Sequence, residues 1–513
     1  MKCGRFPPKI DQCFLLKLLS KVTINPNYLF YLSKSFVFPK SFKGGYAILF
    51  GFLFLLTLPL SAEGFLKAKG ENIVDASGKP YLIRSMGIGA WMVMEPYMFN
   101  MKEEPRLGQH QMFNVFRSLV GEEDLQVFHK AWLNNFFTEA DVIRAKSLRF
   151  NTLRPALHYN LFTLPIEKEP QVGKDTWLPE GFALLDSLVA WCARHKIYVI
   201  LDLHAAPGGQ GYDGNINDYD PTKKSLWESE ENQRKTVALW EKFAQRYANN
   251  PWVGGYDLLN EPNYSFENKN PGGCDDISNK PLKILYEQII QAVRKYDTQH
   301  LIYLEGNCWA KNFNGWWPLS ISDSNLVLSF HKYWDENNYN SISKYIDLRK
   351  KYQIPLWMSE AGENNNDWYK YAVKLLEDNN IGWSWWTWKK GNDNRGTFTI
   401  KYPAGFWDII NYSKGGPKPD ANKSRIALME LAEASKLENC NYNKETVDAL
   451  MAFNTTPLLP QRNMTTTRSI QTRRLNTSQI LFSDFSKNTS IEHKSRNTEY
   501  YNLLGIKQGS ITD

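Results

Sequence analysis

The amino-acid sequence predicts an α/β protein folded as a (β/α)8 TIM barrel. From residue 78 onwards, short apolar runs alternate with longer stretches of helical periodicity, and this alternation is typical of a parallel sheet flanked by helices. Eight such units extend over roughly 360 residues, which suits a barrel that carries insertions. Several of the short runs are almost continuously hydrophobic, as expected for strands that are buried on both faces.

The eight predicted strands are short, largely apolar runs, and most of them carry a polar or aromatic residue near the exit. In chain order they are "YLIRSMGIG" (81–89), "FNTLRPALH" (150–158), "IYVILDLHA" (197–205), "GGYDLLNE" (254–261), "HLIYLEGN" (300–307), "NLVLSFHKY" (325–333), "IPLWMSEA" (354–361) and "GWSWWTWK" (382–389).

Amphipathic helix patterns follow every predicted strand except the fifth. They cover 138–148, 182–195, 231–248, 282–296, 341–352 and 367–379, and a last pattern over 427–438 closes the series. The longest insertion, 92–134, follows the first strand. An open, doubly wound sheet is the structural alternative, because it shows the same alternation of strands and helices.

The two ends of the chain differ in character from the barrel region, residues 63–452. Residues 46–62 form an uncharged apolar stretch that follows basic residues and ends in Leu-Ser-Ala. This pattern predicts a secretory signal within a leader, 1–62, and hence an extracellular, periplasmic or cell-surface protein. The alternative is that the apolar stretch stays uncleaved as a membrane anchor. If it is cleaved as a signal, no membrane span is left. Residues 453–513 are rich in Thr, Asn and Arg without a sustained period, which predicts a linker-like or disordered tail.

Four of the six cysteines lie after the predicted cleavage site, and none has metal-finger spacing. Cys192 lies in a buried helix pattern and is predicted to be a free thiol. One bridge among Cys274, Cys308 and Cys440 is possible, and the sequence leaves it open.

The composition predicts a globular protein, gives no sign of nucleic-acid binding, and is compatible with sugar binding. The formal net charge of +7 is spread along the chain without a basic stripe. Some of the 18 Trp and 26 Tyr must belong to the core, but flat, amphipathic rings also pack well on sugar faces. We expect a monomer. The residues at the strand ends, rather than the composition, indicate a β-linked oligo- or polysaccharide as its substrate, and they require no cofactor and no metal.

Chemically active side chains follow the predicted strands at their carboxyl ends, where the reaction chemistry of such barrels collects. The residues are Arg154, His204, Asn260, Glu261, His331, Tyr333, Glu360 and Trp386. Singly, each could be a packing or ion-pairing residue. Convergence of all of them at one rim indicates a site, because unpaired buried charge is costly.

Two carboxylates from the fourth and seventh strands suggest glycoside hydrolysis, in which one acid protonates the leaving oxygen and the other attacks or stabilises the anomeric carbon. Asn260 could donate a hydrogen bond to a sugar 2-hydroxyl. Arg154 and Tyr333 would favour the ionised form of Glu360. Glu261 needs a raised pKa, which apolar neighbours and the second carboxylate would supply.

The motifs "DLLNEPN", "SFHKY", "MSEAG", "FNTLRP" and "DLHAAPGGQ" together resemble the retaining β-glycosidases of glycoside hydrolase family 5, the cellulase family. The resemblance covers roughly residues 64–440. It implies that Glu261 is the acid/base, that Glu360 is the nucleophile, and that the other strand-exit residues surround the sugar at the cleaved bond.

Subfamily features point in two directions. "GIGAWMVMEPYM" (87–98) is similar to the exo-β-1,3-glucanase branch, and this similarity implies that Glu95 and Tyr97 contact the sugar at the non-reducing end. "SEAGENNNDW" is more similar to bacterial cellulase-like members, which favours an endo-β-1,4-glucanase. Loops 92–134 and 390–415, with Trp407 as a further sugar platform, would decide between the two modes.

Two other classes of protein remain as alternatives. A barrel metallohydrolase would use His204 and His331 with the glutamates, but the sequence contains no His-X-His pair at these strands. A sugar-binding barrel without catalysis is the other alternative, although both glutamates are present.

Overall fold

The computed structural model describes residues 64–101 and 107–454, together with the backbone of 499–501 and 507–510. Eight parallel strands form a closed barrel in which the last strand pairs with both the first and the seventh. The strands are β1 (Arg84–Ile88), β2 (Thr152–His158), β3 (Tyr198–Ala205), β4 (Val253–Asp257), β5 (Ile302–Glu305), β6 (Leu326–His331), β7 (Leu356–Gly362) and β8 (Gly382–Trp386). The predicted barrel is therefore confirmed, and the open sheet is excluded.

The predicted strands agree with these bounds to within a few residues, except at the exit of β4. The prediction continued this strand to Glu261, whereas β4 ends at Asp257. Glu261 has a φ of 44°, in the left-handed region, so the extended chain cannot continue through it. The turn at this position directs the segment that carries Asn260 and Glu261 across the mouth of the barrel.

Helices surround the barrel. They are α1 (Gln109–Phe136), α2 (Glu139–Ser147), α3 (Pro179–His195), α4 (Glu230–Tyr247), α5 (Lys280–Arg294), α6 (Asn340–Tyr352), α7 (Asn366–Asp378), α8 (Ala404–Ser413), α9 (Ala421–Ala434) and α10 (Lys444–Leu450). Every predicted helix is present. The connection after β5 contains only a single turn, Asn307–Ala310, as the sequence indicated.

The sequence did not reveal α1, which fills most of the long insertion. Gly121 interrupts this helix with a φ of 81° and a ψ of 174°. Each half buries residues at helical spacing, but the interruption shifts the phase between the halves, so the helix as a whole does not follow one sustained period. The helices α8 and α10 were also missed, and α8 lies inside the segment expected to be a loop.

The barrel interior consists of an apolar layer below a polar layer. Residues that include Tyr198, Ile200, Tyr303 and Trp357 form the apolar layer, and a hairpin made of strands Lys67–Lys69 and Asn72–Val74 contributes Leu66 and Ile73 to it. Side chains alternate along each strand. The next inward positions, such as Asp202, Glu305 and Ser329, are polar and fully buried. The barrel is therefore closed at one end, and charged groups collect at the other.

Outside the barrel, the structure resolves the open question about the cysteines. Cys274 and Cys308 form a disulfide, while Cys192 is a buried free thiol and Cys440 is also free. The predicted leader, including 46–62, lies outside the described residues, as does most of the predicted tail. Of the tail, the backbone of Glu499–Tyr501 pairs antiparallel with that of Lys507–Ser510. No helix in the described part of the chain is both long and apolar enough to cross a bilayer.

Candidate active site

Arg154 anchors the site from within β2. Its guanidinium is fully buried and donates to Glu360 Oε2 at 2.7 Å, Asn260 Oδ1 at 2.8 Å and Glu305 Oε1 at 3.0 Å. It also donates to Asp257 Oδ2 at 2.9 Å. A planar, permanently charged fork suits such a cage of acceptors, because its donors have fixed directions. Arg154 thus fixes Glu360 and Asn260 relative to each other.

Glu360 lies near the end of β7 and is held by both carboxylate oxygens. Arg154 binds Oε2, and the Tyr333 hydroxyl donates to Oε1 at 2.9 Å. Burial is the largest influence on this group and raises its pKa, while the charges of His331 and Arg154 oppose the shift. The expected support from Arg154 and Tyr333 is present, but the low-dielectric surroundings outweigh it.

Glu261 is positioned through its backbone and its side chain. Its N–H donates to Glu305 Oε2 at 2.7 Å, and its Oε1 accepts a hydrogen bond from His331 Nδ1 at 2.6 Å. His331 Nε2 lies 3.0 Å from Glu305 Oε1. Burial would lower the pKa of His331, but the carboxylates of Glu305, Glu360 and Glu261 raise it well above its usual value. The imidazolium therefore donates from both ring nitrogens.

The two candidate catalytic carboxylates face each other. One carboxylate oxygen of Glu261 lies within 4.8 Å of one of Glu360. Retaining glycosidases need a gap of about 5–5.5 Å between the carboxyl groups, and inverting enzymes need about 6.5–9.5 Å to admit a water molecule. The arrangement has room for direct attack on a sugar, but not for an intervening water.

A second buried group lies on the β1 and β8 side of the mouth. His204 Nδ1 is 2.8 Å from Asp202 Oδ2, and His204 Nε2 is 3.7 Å from Glu95 Oε1. The His204 ring lies parallel to that of Trp386, whose Nε1 donates to the Tyr97 hydroxyl at 3.0 Å. Burial raises the pKa of Glu95 to about 7. Burial would lower the pKa of His204, but Asp202 and Glu95 raise it to about 10.

A cavity of about 610 Å³ opens above these groups. Its lining contains both candidate catalytic carboxylates, two tryptophans, and a mixture of charged and polar residues. The lining residues are Glu95, Tyr97, Asp213, Asn215, Ile216, Glu261, Trp309, Lys311, His331, Tyr333, Trp334, Glu360, Glu363 and Arg395. A concave site with an acidic pair and aromatic walls suits a sugar chain.

A sequence model of the cellulase family, glycosyl hydrolase family 5, matches residues 74–392, more than half of the 513-residue chain. The chain belongs to this family. Family 5 membership agrees with the closed barrel and with the two carboxylates at the ends of its strands. Family 5 is a family of glycosyl hydrolases.

Three curated relatives of this family 5 chain differ in the activity that their names give. It is 33% identical over 269 residues to a beta-xylosidase of Phanerodontia chrysosporium, covering 52% of each chain. It is 28% identical to a probable glucan 1,3-beta-glucosidase A of Emericella nidulans, covering 52% of this chain and 61% of that one. It is 24% identical to endoglucanase C of Acetivibrio thermocellus, with 52% and 88% covered. The match thus spans just over half the length of the first two relatives.

Solved structures of family 5 enzymes also match. A beta-glucanase of Saccharophagus degradans is 16% identical, with a TM-score of 0.43 and coverage of 72% of this chain and 94% of that chain.

The predicted site residues of this family 5 chain occupy two layers. Glu95, Tyr97, Glu261, His331, Tyr333 and Glu360 line the cavity. Arg154, His204, Asn260 and Trp386 are buried just behind this lining. Their predicted contact with sugar stays a prediction. Each of them contacts a cavity-lining residue or another of the four, and Arg154 and His204 also bind buried carboxylates that lie outside the lining. Trp407 is exposed on α8, away from the lining.

Several residues with a function in this family 5 site were missed by sequence reasoning. Glu305 is the last residue of β5 and lies beneath Glu261, so a reading of all eight strand ends would have found it. Trp309 and Trp334 line the cavity, as do Glu363 and Arg395. Nothing in their local sequence separates these two tryptophans from the others in the chain, because loop folding brings them to the cavity.

The possible ligand atoms of Glu261, His331 and Glu360 lie within 4.8 Å of one another, which is close enough to hold a metal ion. The charges argue against this use. His331 is held as a cation between carboxylates, and a metal ligand must be the neutral imidazole. Arg154 already compensates Glu360. This donor set does not fit a resident cation.

Proposed function

We propose that this protein hydrolyses β-glucosidic bonds of β-glucan with retention, using Glu261 as the acid/base and Glu360 as the nucleophile. The observation that carries the proposal is the approach of the two carboxylates to within 4.8 Å across one cavity. A sugar that binds in this gap with its anomeric carbon beside Glu360 would place its glycosidic oxygen against Glu261.

The reaction proceeds in two displacements. Glu360 attacks the anomeric carbon while Glu261 donates its proton to the departing oxygen, leaving a glycosyl ester on Glu360. Glu261 then removes a proton from water, the water oxygen bonds to the anomeric carbon, and Glu360 is released as the carboxylate. Tyr333 and Arg154 each hold one oxygen of Glu360, so its attacking direction is defined before substrate binds.

Asn260 is suited to support the transition state. Arg154 donates to its Oδ1, which orients the amide, and its Nδ2 lies 3.3 Å from His204 Nε2 and carries two hydrogens, so one can be donated elsewhere. A hydrogen bond from this group to the sugar 2-hydroxyl would strengthen as positive charge develops on the ring.

A glucan is the substrate class best supported by the relatives, which include a probable glucan 1,3-beta-glucosidase and an endoglucanase. The beta-xylosidase relative makes a β-xyloside the second candidate. Rates on aryl β-glucoside and aryl β-xyloside separate the two. Faster turnover of the xyloside would overturn the glucose assignment.

A wall of the cavity, formed by residues 90–101 after β1, favours cleavage at chain ends over internal, endo-β-1,4-glucanase-like cleavage. Residues 90–101 are almost entirely buried, and they bring Glu95 and Tyr97 into the cavity lining. Among the described residues, none hydrogen-bonds Oε2 of the 2%-exposed Glu95. A sugar hydroxyl would satisfy this oxygen, and the wall would stop the chain there. Product profiles on cellulose, barley glucan, laminarin and mannan test both the linkage and the mode, because internal cleavage releases mixed oligomers from the start.

We also propose that the protein is secreted. The Cys274–Cys308 disulfide supports an oxidising compartment. N-terminal sequencing of the secreted protein should give a start near Glu63, and a start near Met1 would contradict cleavage.

The decisive experiment replaces the nucleophile. Glu360→Ala should abolish hydrolysis of an activated aryl glycoside, and added azide should restore the rate by forming a glycosyl azide of inverted configuration. Glu261→Ala should lose about 10²- to 10⁴-fold on substrates with a poor leaving group, and much less on activated ones. Wild-type turnover by Glu360→Ala without azide would end the assignment.

A further inference from the structure

Trp309 lies on the side of the cavity from which a leaving group departs. Its backbone N–H donates to the backbone carbonyl of Pro262, the residue after Glu261, at 3.1 Å. Glu95 and Tyr97 line the opposite, β1 side of the same cavity. Since the acid protonates the departing oxygen, the leaving-group sugar lies beside Glu261 and therefore against the connections that follow β5 and β6.

The backbone that presents Trp309 is unusual. Cys308, Trp309 and Ala310 have φ values of 58°, 53° and 63°. Three consecutive non-glycine residues in the left-handed region are strained, because each Cβ crowds a carbonyl oxygen. Such a conformation persists only where surrounding contacts impose it.

Those contacts all connect the turn after β5 to the loop after β4. Cys308 is bonded to Cys274. The buried Asn307 side chain accepts from Tyr264 N at 3.1 Å and donates to Tyr264 O at 2.8 Å. Gly272 lies against the indole so closely that a Cβ there would be 2.4 Å from the ring.

We propose that Trp309 is a specificity-determining platform for the leaving-group sugar, and that the Cys274–Cys308 disulfide holds it in the cavity. The inference rests on the proposed function and deepens it. Trp309 Nε1 lies 3.4 Å from Asp213 Oδ2, so the indole is held at its edge as well as along its backbone. The rest of the ring lines the cavity, where an apolar sugar face can pack on it.

A trapped glycosyl-enzyme isolates this side of the site. A 2-deoxy-2-fluoro-glucosyl fluoride would glycosylate Glu360 with loss of fluoride and leave the leaving-group side empty. Cellobiose or laminaribiose, added as acceptor, would then bind there, and one of its hydroxyls would attack the anomeric carbon and free Glu360. The dependence of the reactivation rate on acceptor concentration measures occupancy of the Trp309 side alone.

Four variants give the expected pattern. Trp309→Ala should raise the acceptor concentration needed for half-maximal reactivation by about tenfold, and Trp309→Phe should recover most of this loss. The double variant Cys274→Ser/Cys308→Ser should lie between Trp309→Ala and wild type. Tyr296→Ala, which removes an exposed aromatic ring outside the cavity lining, should match wild type.

Reductant provides an independent test of the disulfide. The Cys274 side is exposed and reachable. Dithiothreitol should therefore weaken acceptor binding in wild type and leave the double serine variant unchanged. An unchanged acceptor response in Trp309→Ala, or in reduced wild type, would overturn the inference while the proposed function stands. Failure of wild type to form the trapped species would instead overturn the proposed function itself.

Discussion

Glu305 lies directly beneath Glu261, and its Oε2 accepts the Glu261 backbone N–H at 2.7 Å. The same carboxylate accepts from His331 and from Arg154 through Oε1. Burial would raise the pKa of Glu305, but His331 and Arg154 lower it to about 2. A permanently charged carboxylate therefore ties together the residues that flank both catalytic candidates, without itself lining the cavity.

Replacing Glu305 with Gln tests this positioning role. The variant removes the charge that helps to keep His331 protonated. Glu261 would therefore lose the hydrogen-bond donor that His331 provides. We expect kcat/KM to fall by at least tenfold and the pH–rate profile to change shape, which a purely structural loss would not cause. Glu438→Gln, at an exposed site, is the matched control. An unchanged pH profile in a folded Glu305→Gln protein would refute the role.

The acidic limb of the pH–rate profile should lie above the range of an ordinary glutamate. Attack requires the Glu360 carboxylate, and burial raises the pKa of this group. Activity is therefore lost as pH falls through a raised pKa, at a higher pH than the usual value of about 4.3. The limb is measured as kcat/KM against pH on an activated aryl glycoside.

Tyr333→Phe should move that limb further upward, by about one pH unit, since the lost hydrogen bond favours the charged form of Glu360. Tyr371→Phe removes a hydroxyl from a half-exposed ring far from these carboxylates and should leave the limb in place. A limb that stays in place, or moves down, in Tyr333→Phe would contradict the assigned contact.

Arg154→Lys should destabilise the fold as well as the site. Arg154 is fully buried among Glu360, Glu305, Asp257 and Asp202. A lysine keeps the charge but cannot reach four acceptors, so buried carboxylates lose their donors. We expect the free energy of unfolding to fall by about 3–5 kcal/mol, measured by denaturant titration. Arg425→Lys, at an exposed position on α9, should change it by less than about 0.5 kcal/mol. Equal stability of the two variants would show that the buried cluster tolerates rearrangement.

Gly89→Ala should displace Trp386. A Cβ at this position would lie 2.3 Å from the indole, and Gly89 has no left-handed φ, so the effect is steric rather than conformational. The ring would move away from His204 and Tyr97, which it contacts in the structure. We expect KM for glucoside substrates to rise several-fold with near-normal circular dichroism. An unchanged KM would show that Trp386 does not shape the sugar site.

The sequence by itself determined the barrel and the identity of its exit residues. Strand and helix periodicities are local properties, and a strand that ends in a polar residue directs it to the mouth whatever the loops do. Glu360 could therefore be placed at the mouth from its own strand, and Glu261 from the strand that precedes it. The break in α1 at Gly121 and the turn at Glu261 depend on single backbone angles, and no periodicity reports these.

Tertiary structure alone decided which groups surround the two carboxylates and what they do to them. The pairing of Cys274 with Cys308 and the entry of Trp309 and Trp334 into the cavity depend on how separate loops meet. The raised pKa of Glu360 likewise comes from burial, which outweighs the Arg154 charge that the sequence had already suggested. Desolvation and loop contacts are sums over neighbours distant in the chain, so they exist only once the barrel has closed.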